Sequence, residues 1–408
     1  VGLFSANLIG IPLGVVTSII LTRYLGSQGY GDYKFILSIF NFAIIMCTFG
    51  FFHAGNRVLV LNNDKIKARE YYGAVFLILG GLFVVTSIFL TFYALFDYNI
   101  KEKQLSTILL YLIPFSWVLL LLKYFEALFQ ADNQIRMLAK IRVYPQLFFL
   151  ITAAFIFFIF IDNEFKRLDI ILGIYLATQA VIYLFILYKL NISFKNFKIR
   201  LIEIWDYNKS FGFNMYLGAI FSLGFAGLTE ILISYFGINN SGVGFYSLAL
   251  TFAIPLTYIP NTIATTHYKD FATLKKIPNK LLFITLSLSI VSLLGLWLVI
   301  GPLIHIFYGS EFESVVALNF IISIGVVVHG LGDFFNSFLS ANGQGKSLRN
   351  SLIIYGLSIL IFNLFLIPQL GASGAAYSKL ITSIIYLIII FVIYVKFRRR
   401  NSFKEMSI

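Results

Sequence analysis

The sequence predicts an all-α integral membrane protein with about twelve transmembrane helices, arranged as two parallel six-helix lobes around a central cavity. Three observations predict it: the composition, the number and length of the apolar runs, and a phrase that the chain writes twice. Of 408 residues, 59% are hydrophobic and only 12% charged, with a mean hydropathy of +0.88. A soluble domain carries about 25% charge, so this composition excludes one. Cys47 is the single cysteine and lies in an apolar run, which excludes a disulfide framework and a cysteine-rich metal centre.

A span needs about 20 mainly apolar residues. Twelve such runs are expected, at 2–22, 33–53, 72–96, 106–129, 138–161, 168–190, 210–236, 243–267, 281–301, 315–340, 349–367 and 373–396. The net charge of +13 is placed by topology and does not mark a nucleic-acid footprint. Connections after the even-numbered spans and the C-terminal tail carry 23 lysines and arginines. The other side carries 6: Arg23, Lys34, Lys101, Lys103, Lys166 and Arg167. Both termini are therefore expected in the cytoplasm. The chain opens on Val1 inside its first apolar run, so a few upstream residues are expected, and no signal peptide is read.

The repeated phrase is RYLGSQGYGDY (23–33) and SYFGINNSGVGFY (234–246). Tyr24-Leu25-Gly26 aligns with Tyr235-Phe236-Gly237, and Gly29, Gly31 and Tyr33 align with Gly242, Gly244 and Tyr246 after two residues are inserted. A second echo, FQADNQIRM (129–137) and FLSANGQGK (338–346), sets Ala131 against Ala341 at an offset of 210. A shared offset across different motifs points to duplication. Six spans per copy is an even number, so both copies cross in the same sense as parallel repeats, an arrangement found in transporters. The expected organisation is a first lobe over 1–190, a linker over 191–209, a second lobe over 210–396 and a basic cytoplasmic tail over 397–408. In the linker, Phe194, Phe197, Leu201 and Trp205 recur at helical spacing opposite Lys195, Arg200 and Asp206. It reads as an amphipathic helix on the inner leaflet, with a disordered basic loop as the alternative.

Three stretches carry a family resemblance. Leu25-Gly26…Gly29-Tyr30-Gly31-Asp32-Tyr33 matches a leucine-glycine turn followed by Gly-x-Tyr. Glu230 through Gly237, then Val243-Gly244-Phe245-Tyr246 and Ala249, match an acidic residue, an apolar turn and Val-Gly-x-Tyr-x-x-Ala. Ile367-Pro368…Gly371 and Gly374-Ala375-Ala376 match a late apolar-Pro turn and a Gly-Ala-Ala pattern. In this order the chain resembles Wzx-type oligosaccharide flippases, the polysaccharide biosynthesis proteins of the multidrug/oligosaccharidyl-lipid/polysaccharide exporter superfamily. Glu230 departs from the aspartate expected there. The resemblance implies a MATE-like fold and alternating access. Its implied cargo is an undecaprenyl-pyrophosphate-linked oligosaccharide, moved from the inner to the outer leaflet of a bacterial cytoplasmic membrane. No cofactor is implied beyond a coupling H⁺ or Na⁺. The implied partners are the lipid-linked oligosaccharide, membrane lipid, and the polymerase and export machinery of the same pathway.

An anionic head group crossing hydrocarbon needs basic residues and a wet path, because a charge at mid-depth costs several kcal/mol. Arg23, Arg57, Lys123 and Lys379 are the candidates for binding pyrophosphate and sugar. Arg23 reads equally as an interfacial anchor. Lys123 and Glu126, three apart, share a helix face and form either an intrahelical pair or a cavity lining. Glu230 is too short to snorkel and should face the bundle or a cavity, with Lys379 as a plausible partner. His329 and Asp333 are four apart and form either a polar staple or a proton-responsive pair. With Glu126 and Glu230 they are the candidates for coupling or gating. Gly10-Ile11-Pro12-Leu13-Gly14, Pro114, Pro145, Pro255 and Pro260 permit either kinks or close packing.

Catalysis finds little support. GQGKS (343–347) imitates a phosphate loop, but the glycine needed five residues before Gly345 is Ser340. No HExxH, GxSxG or acidic metal cluster occurs. A membrane-embedded polymerase or ligase would need a large outer loop, and every outer connection is short. A multidrug or cation antiporter shares the two-lobe plan but keeps an acidic residue in its first span, which 2–22 lacks. A lipid II flippase commonly has two further spans.

Overall fold

The structure is a computed structural model that describes residues 2–62, 64–160 and 167–406, with side chains described over 9–62, 64–158 and 167–400. Val1, Lys166 in its outer connection, and the side chain of Lys404 lie outside the described residues. In chain order the helices are α1 (Gly2–Cys47), α2 (Phe51–Leu61), α3 (Lys65–Phe96), α4 (Tyr98–Glu102), α5 (Ser106–Leu112), α6 (Trp117–Ala131), α7 (Ile135–Phe160), α8 (Leu168–Lys189) and α9 (Phe197–Tyr207). They continue as α10 (Phe213–Ala219), α11 (Phe225–Phe236), α12 (Ser241–Ala253), α13 (Tyr258–Thr266), α14 (Tyr268–Phe271), α15 (Asn279–Phe307), α16 (Ser314–Ala341), α17 (Gly345–Leu370) and α18 (Ala372–Met406). No strand occurs among the described residues.

Among the described residues, ten helical stretches are long and apolar enough to span a membrane, and the bent pair Ser106–Phe115 and Trp117–Ala131 adds one more. Ile9–Cys47 counts once among the ten, yet its 39 residues reach about 58 Å, nearly twice a hydrocarbon core. It holds the first two expected spans, so each of the twelve is accounted for. The joint is Gly26 alone, at φ 72° and ψ −177°. An L side chain is excluded from that region. The expected outer loop is thus a one-residue break, and Gly29 through Tyr33 already belong to the second arm. Gly26→Ala is expected to cost about 1–3 kcal/mol. Gly14→Ala, with open space around the added carbon, should be neutral or stabilising. Thermal melting of both variants in detergent checks this. Equal melting temperatures would show that the joint tolerates a side chain.

The second echo is structural as well. α6 ends at Ala131 with Asn133 at φ 54°, and α16 ends at Ala341 with Gly343 at φ 73°. In the first turn the Gln134 amide donates to Phe129 O (2.8 Å) and the Asn133 amide to Gln130 O (3.3 Å). In the second, Gln344 donates to Leu339 O (3.0 Å) and Gly343 to Ser340 O (3.0 Å). Both are Schellman caps, matched bond for bond at the 210-residue offset. Pro114 and Pro255 sit in 3₁₀ segments that interrupt their spans, the first at a 45° bend. Pro12 lies within the first arm of α1, before Gly26, and Pro145 lies inside α7.

The chain folds into two compact units, Val1–Ile220 and Phe221–Ile408. In the first, α1 packs on α7, α2 on α6, and α9 on both α2 and α3. The linker is therefore a docked helix rather than a loose loop, and one expected orientation is corrected. Arg200 does not face outward: its Nε donates to Glu70 Oε2 at 2.8 Å and its Nη1 to Glu203 Oε2 at 2.9 Å. Arg200 and Glu70 are 12% and 8% exposed. Ile204 is buried beside them, while Phe197, Ile199, Ile202 and Trp205 remain exposed. An apolar face turned outward and a paired charge turned inward suit a helix bordering lipid. In the second unit, α16 is the hub, packed against α12, α13 and α18, with α17 between α11 and α18.

Candidate functional site

Of the eight residues singled out by sequence, four lie in each unit. In the second unit all four converge. Along α18, Ser378, Lys379, Thr382, Ser383 and Tyr386 form one polar stripe in the apolar stretch that precedes its basic end. Two glycines of α16 let that stripe approach. A Cβ on Gly325 would stand 3.0 Å from the Leu380 backbone, and one on Gly332 would stand 2.7 Å from the Tyr386 ring.

Tyr386 is fully buried and holds the centre of the site. Its hydroxyl donates to Asp333 Oδ1 (3.0 Å) and accepts from Asn336 Nδ2 (2.7 Å). The His329, Tyr386 and Tyr355 rings form one mutual cluster, with His329 centroid distances of 4.7 and 4.9 Å and the two tyrosine rings 5.2 Å from each other. His329 Nε2 and Asp333 Oδ2 are 3.9 Å apart, within ion-pair range but too far for a hydrogen bond. His329 Nδ1 is buried with no hydrogen-bond partner. Lys379 Nζ donates to the Tyr355 hydroxyl at 3.2 Å, and its field reaches both His329 and Asp333.

On the other side of Tyr355 is a cavity of about 120 Å³, lined by Thr229, Glu230, Tyr246, Asn363, Ser378 and Lys379 among others. Glu230 accepts from Ser247 Oγ at 2.5 Å, and Asn363 Nδ2 donates to Thr229 Oγ1 at 2.8 Å. Glu230 and Lys379, expected as partners, thus share one small polar chamber. A water occupies about 30 Å³, so in this conformation the chamber holds a few waters and not a sugar pyrophosphate. Tyr246, from the repeated phrase, lines it. Its counterpart Tyr33 is equally buried, edge-on to Tyr175 at 6.0 Å.

In the first unit, Lys123 Nζ lies 3.1 Å from Glu126 Oε2, and Arg142 Nη2 from α7 lies 3.1 Å from Glu126 Oε1. One carboxylate is held by two half-exposed cations, leaving a net positive face. By sequence Arg142 is only one of the basic inner residues. Yet 126 and 142 stand equally far from Gln134 in the turn between α6 and α7, the relation that pairs residues across an antiparallel helix hairpin. α2 joins this face through Asn56 Nδ2, which donates to Ala127 O at 2.7 Å. Arg57, one residue on, is exposed with its guanidinium 5.7 Å over the Phe211 ring. Arg23 is exposed three residues before Gly26. The α1 arm beyond Gly26, residues 27–47, is about 31 Å long. Arg23 lies before Gly26, at the opposite end of that arm from the turn that leads into α2.

GQGKS forms the turn between α16 and α17 and the first residues of α17, with no strand before it, so it is not a phosphate loop. Among the described residues no group of His, Cys, Asp and Glu could hold a metal.

A sequence profile of the polysaccharide biosynthesis protein family matches residues 2–268. The chain belongs to this family. A capsular polysaccharide biosynthesis protein of Staphylococcus aureus, CapF, is similar to it at 24% identity over 408 residues, covering 95% of this chain and 96% of that protein. Of solved structures, the lipid II flippase MurJ in an inward closed conformation superposes with a TM-score of 0.76 at 16% identity, over 99% of this chain and 90% of MurJ. An inward-facing multidrug resistance MATE transporter of the MOP superfamily gives a TM-score of 0.69 at 14% identity, over 98% and 96%. At these identities the two structures establish the fold: this member of the family is a multi-pass membrane protein with a MurJ/MATE-type helical fold.

Proposed function

We propose that the chain is a flippase that carries an undecaprenyl-pyrophosphate-linked oligosaccharide from the cytoplasmic to the outer leaflet by alternating access. The observation that carries this reading is the near full-length likeness to a capsular polysaccharide biosynthesis protein on a fold shared with a lipid II flippase. The protein is a carrier rather than an enzyme, set in a bacterial cytoplasmic membrane with both termini inside. Arg57 and Lys123, with Arg142, take the pyrophosphate. Glu126, gripped by two cations, occupies the place a phosphate would claim. Glu230, Lys379, His329 and Asp333 form the coupling site for H⁺ or Na⁺. The polymerase and export machinery that use the flipped unit are the expected partners.

The test is leaflet translocation of a fluorescent polyprenyl-pyrophosphate oligosaccharide in proteoliposomes. Wild type should flip it, and Arg57→Ala and Lys123→Ala should each slow flipping by about tenfold, the worth of a charged hydrogen bond. Wild type that ignores this lipid but moves an organic cation against an ion gradient would make the protein an antiporter.

A further inference from the structure

We propose that Lys379 is a tethered cation that closes the second-unit chamber to sodium, leaving protonation of Glu230 as the coupling event there. The inference rests on the carrier reading only for the chamber's part in transport. Ion exclusion itself is a property of the folded chain.

The chamber has the ligand chemistry of an alkali-cation site. A carboxylate (Glu230), hydroxyls (Thr229, Ser378 and Thr382), phenols (Tyr246 and Tyr355) and an amide (Asn363) converge on about 120 Å³. Hard cations take such oxygen sets. The same walls carry an ammonium. Lys379 reaches across from α18 to donate to Tyr355 on α17 at 3.2 Å. A sodium ion in so small a space would sit within a few ångströms of Nζ, where repulsion between like charges is weakly screened. The tethered ammonium supplies the charge that a bound sodium would otherwise bring to Glu230.

A proton is not excluded in this way, because it binds covalently to a Glu230 oxygen and needs no coordination shell. It is taken from bulk water and no bond within the protein breaks. Glu230 is faced by Ser247 and Tyr246 from α12, by Asn363 and Tyr355 from α17, and by Lys379 from α18. Behind Tyr355 stand His329 and Asp333 of α16, both within the field of Lys379. Protonation of Glu230 leaves the Lys379 charge uncompensated in the chamber. That change reaches α16 through the cluster of Tyr355, His329 and Tyr386, whose hydroxyl donates to Asp333.

The experiment is thermal stability of the purified full chain in detergent, in sodium chloride against choline chloride at equal ionic strength. It needs no substrate, so it stands apart from any failure to flip lipid. Wild type and Lys379→Arg should show no sodium-specific shift. Lys379→Gln, which removes the charge and adds an oxygen, should gain a sodium-specific rise in melting temperature. The gain should vanish when Glu230→Gln is added. Lys379→Met, which removes the charge alone, is the second variant and should show a smaller gain. A sodium-specific shift in wild type overturns the inference, as does the absence of one in both neutral variants. The expected shifts in a protein that does not flip the lipid-linked sugar would overturn the flippase reading alone.

Discussion

Arg200→Met is expected to destabilise the first unit by about 3 kcal/mol, because it strands a buried carboxylate. Glu70 is only 8% exposed and takes its charge compensation from Arg200 Nε at 2.8 Å, with Asn196 Nδ2 donating to its other oxygen at 3.0 Å. The guanidinium also binds Glu203, which accepts from the Tyr71 hydroxyl at 2.5 Å, and it lies 5.1 Å over the Tyr71 ring. One planar fork thus ties α9 to α3 at several points. Arg200→Lys should not restore stability, since an ammonium cannot serve two carboxylates and a ring face in that geometry. Glu70→Met combined with Arg200→Met should recover more than half of the loss, because the stranded charge is gone. Melting temperatures of the four proteins in detergent, with trypsin cleavage at Lys195 and Lys198 reporting release of α9, test the assignment. If the double variant melts no higher than Arg200→Met, the buried charge is not the cause.

Glu230→Gln is expected to cut translocation by about tenfold or more, the scale of a lost coupling free energy. Its melting temperature should fall, because the Lys379 charge loses its counter-charge in the chamber, so rates are compared per folded protein. A carboxamide has nearly the shape of a carboxylate, and its oxygen still accepts from Ser247 Oγ. What it loses is the ability to gain and release a proton beside Lys379. The residual rate should therefore be flat across imposed pH gradients, whereas the wild-type rate responds to them. Ser247→Ala is the control: it removes the hydrogen bond and keeps the titrating group, so the response to pH should survive. A Glu230→Gln protein that flips at the wild-type rate and still follows the pH gradient would remove Glu230 from the mechanism.

Much of the architecture is legible in the chain. The twelve spans follow from run length against bilayer thickness. The repeat follows from two phrases, and the matched Schellman caps at Asn133 and Gly343 give the second echo its physical basis. A polar residue on an apolar helix also stands out, and Glu230, His329, Asp333 and Lys379 are legible for that reason. Tyr355 and Tyr386 are not. Among 24 tyrosines, many suit a membrane interface, and nothing in their local sequence marks these two as ring walls around His329. Arg200 misleads for a related reason. Its position on the α9 wheel is polar whether it faces water or Glu70, and Glu70 is 130 residues away.

What the sequence determined by itself is what sums along the chain, the number of spans and the echoed turns, because run length and motif spacing are local properties. Only the tertiary structure decided which polar groups meet. A charge recruits its partner through space, and the spacing between α16 and α18 is set by two glycines, Gly325 and Gly332, facing Leu380 and Tyr386. Those approaches bring Lys379 and Tyr386 of α18 against the α16 helix that carries His329 and Asp333, and no property of a single helix contains them.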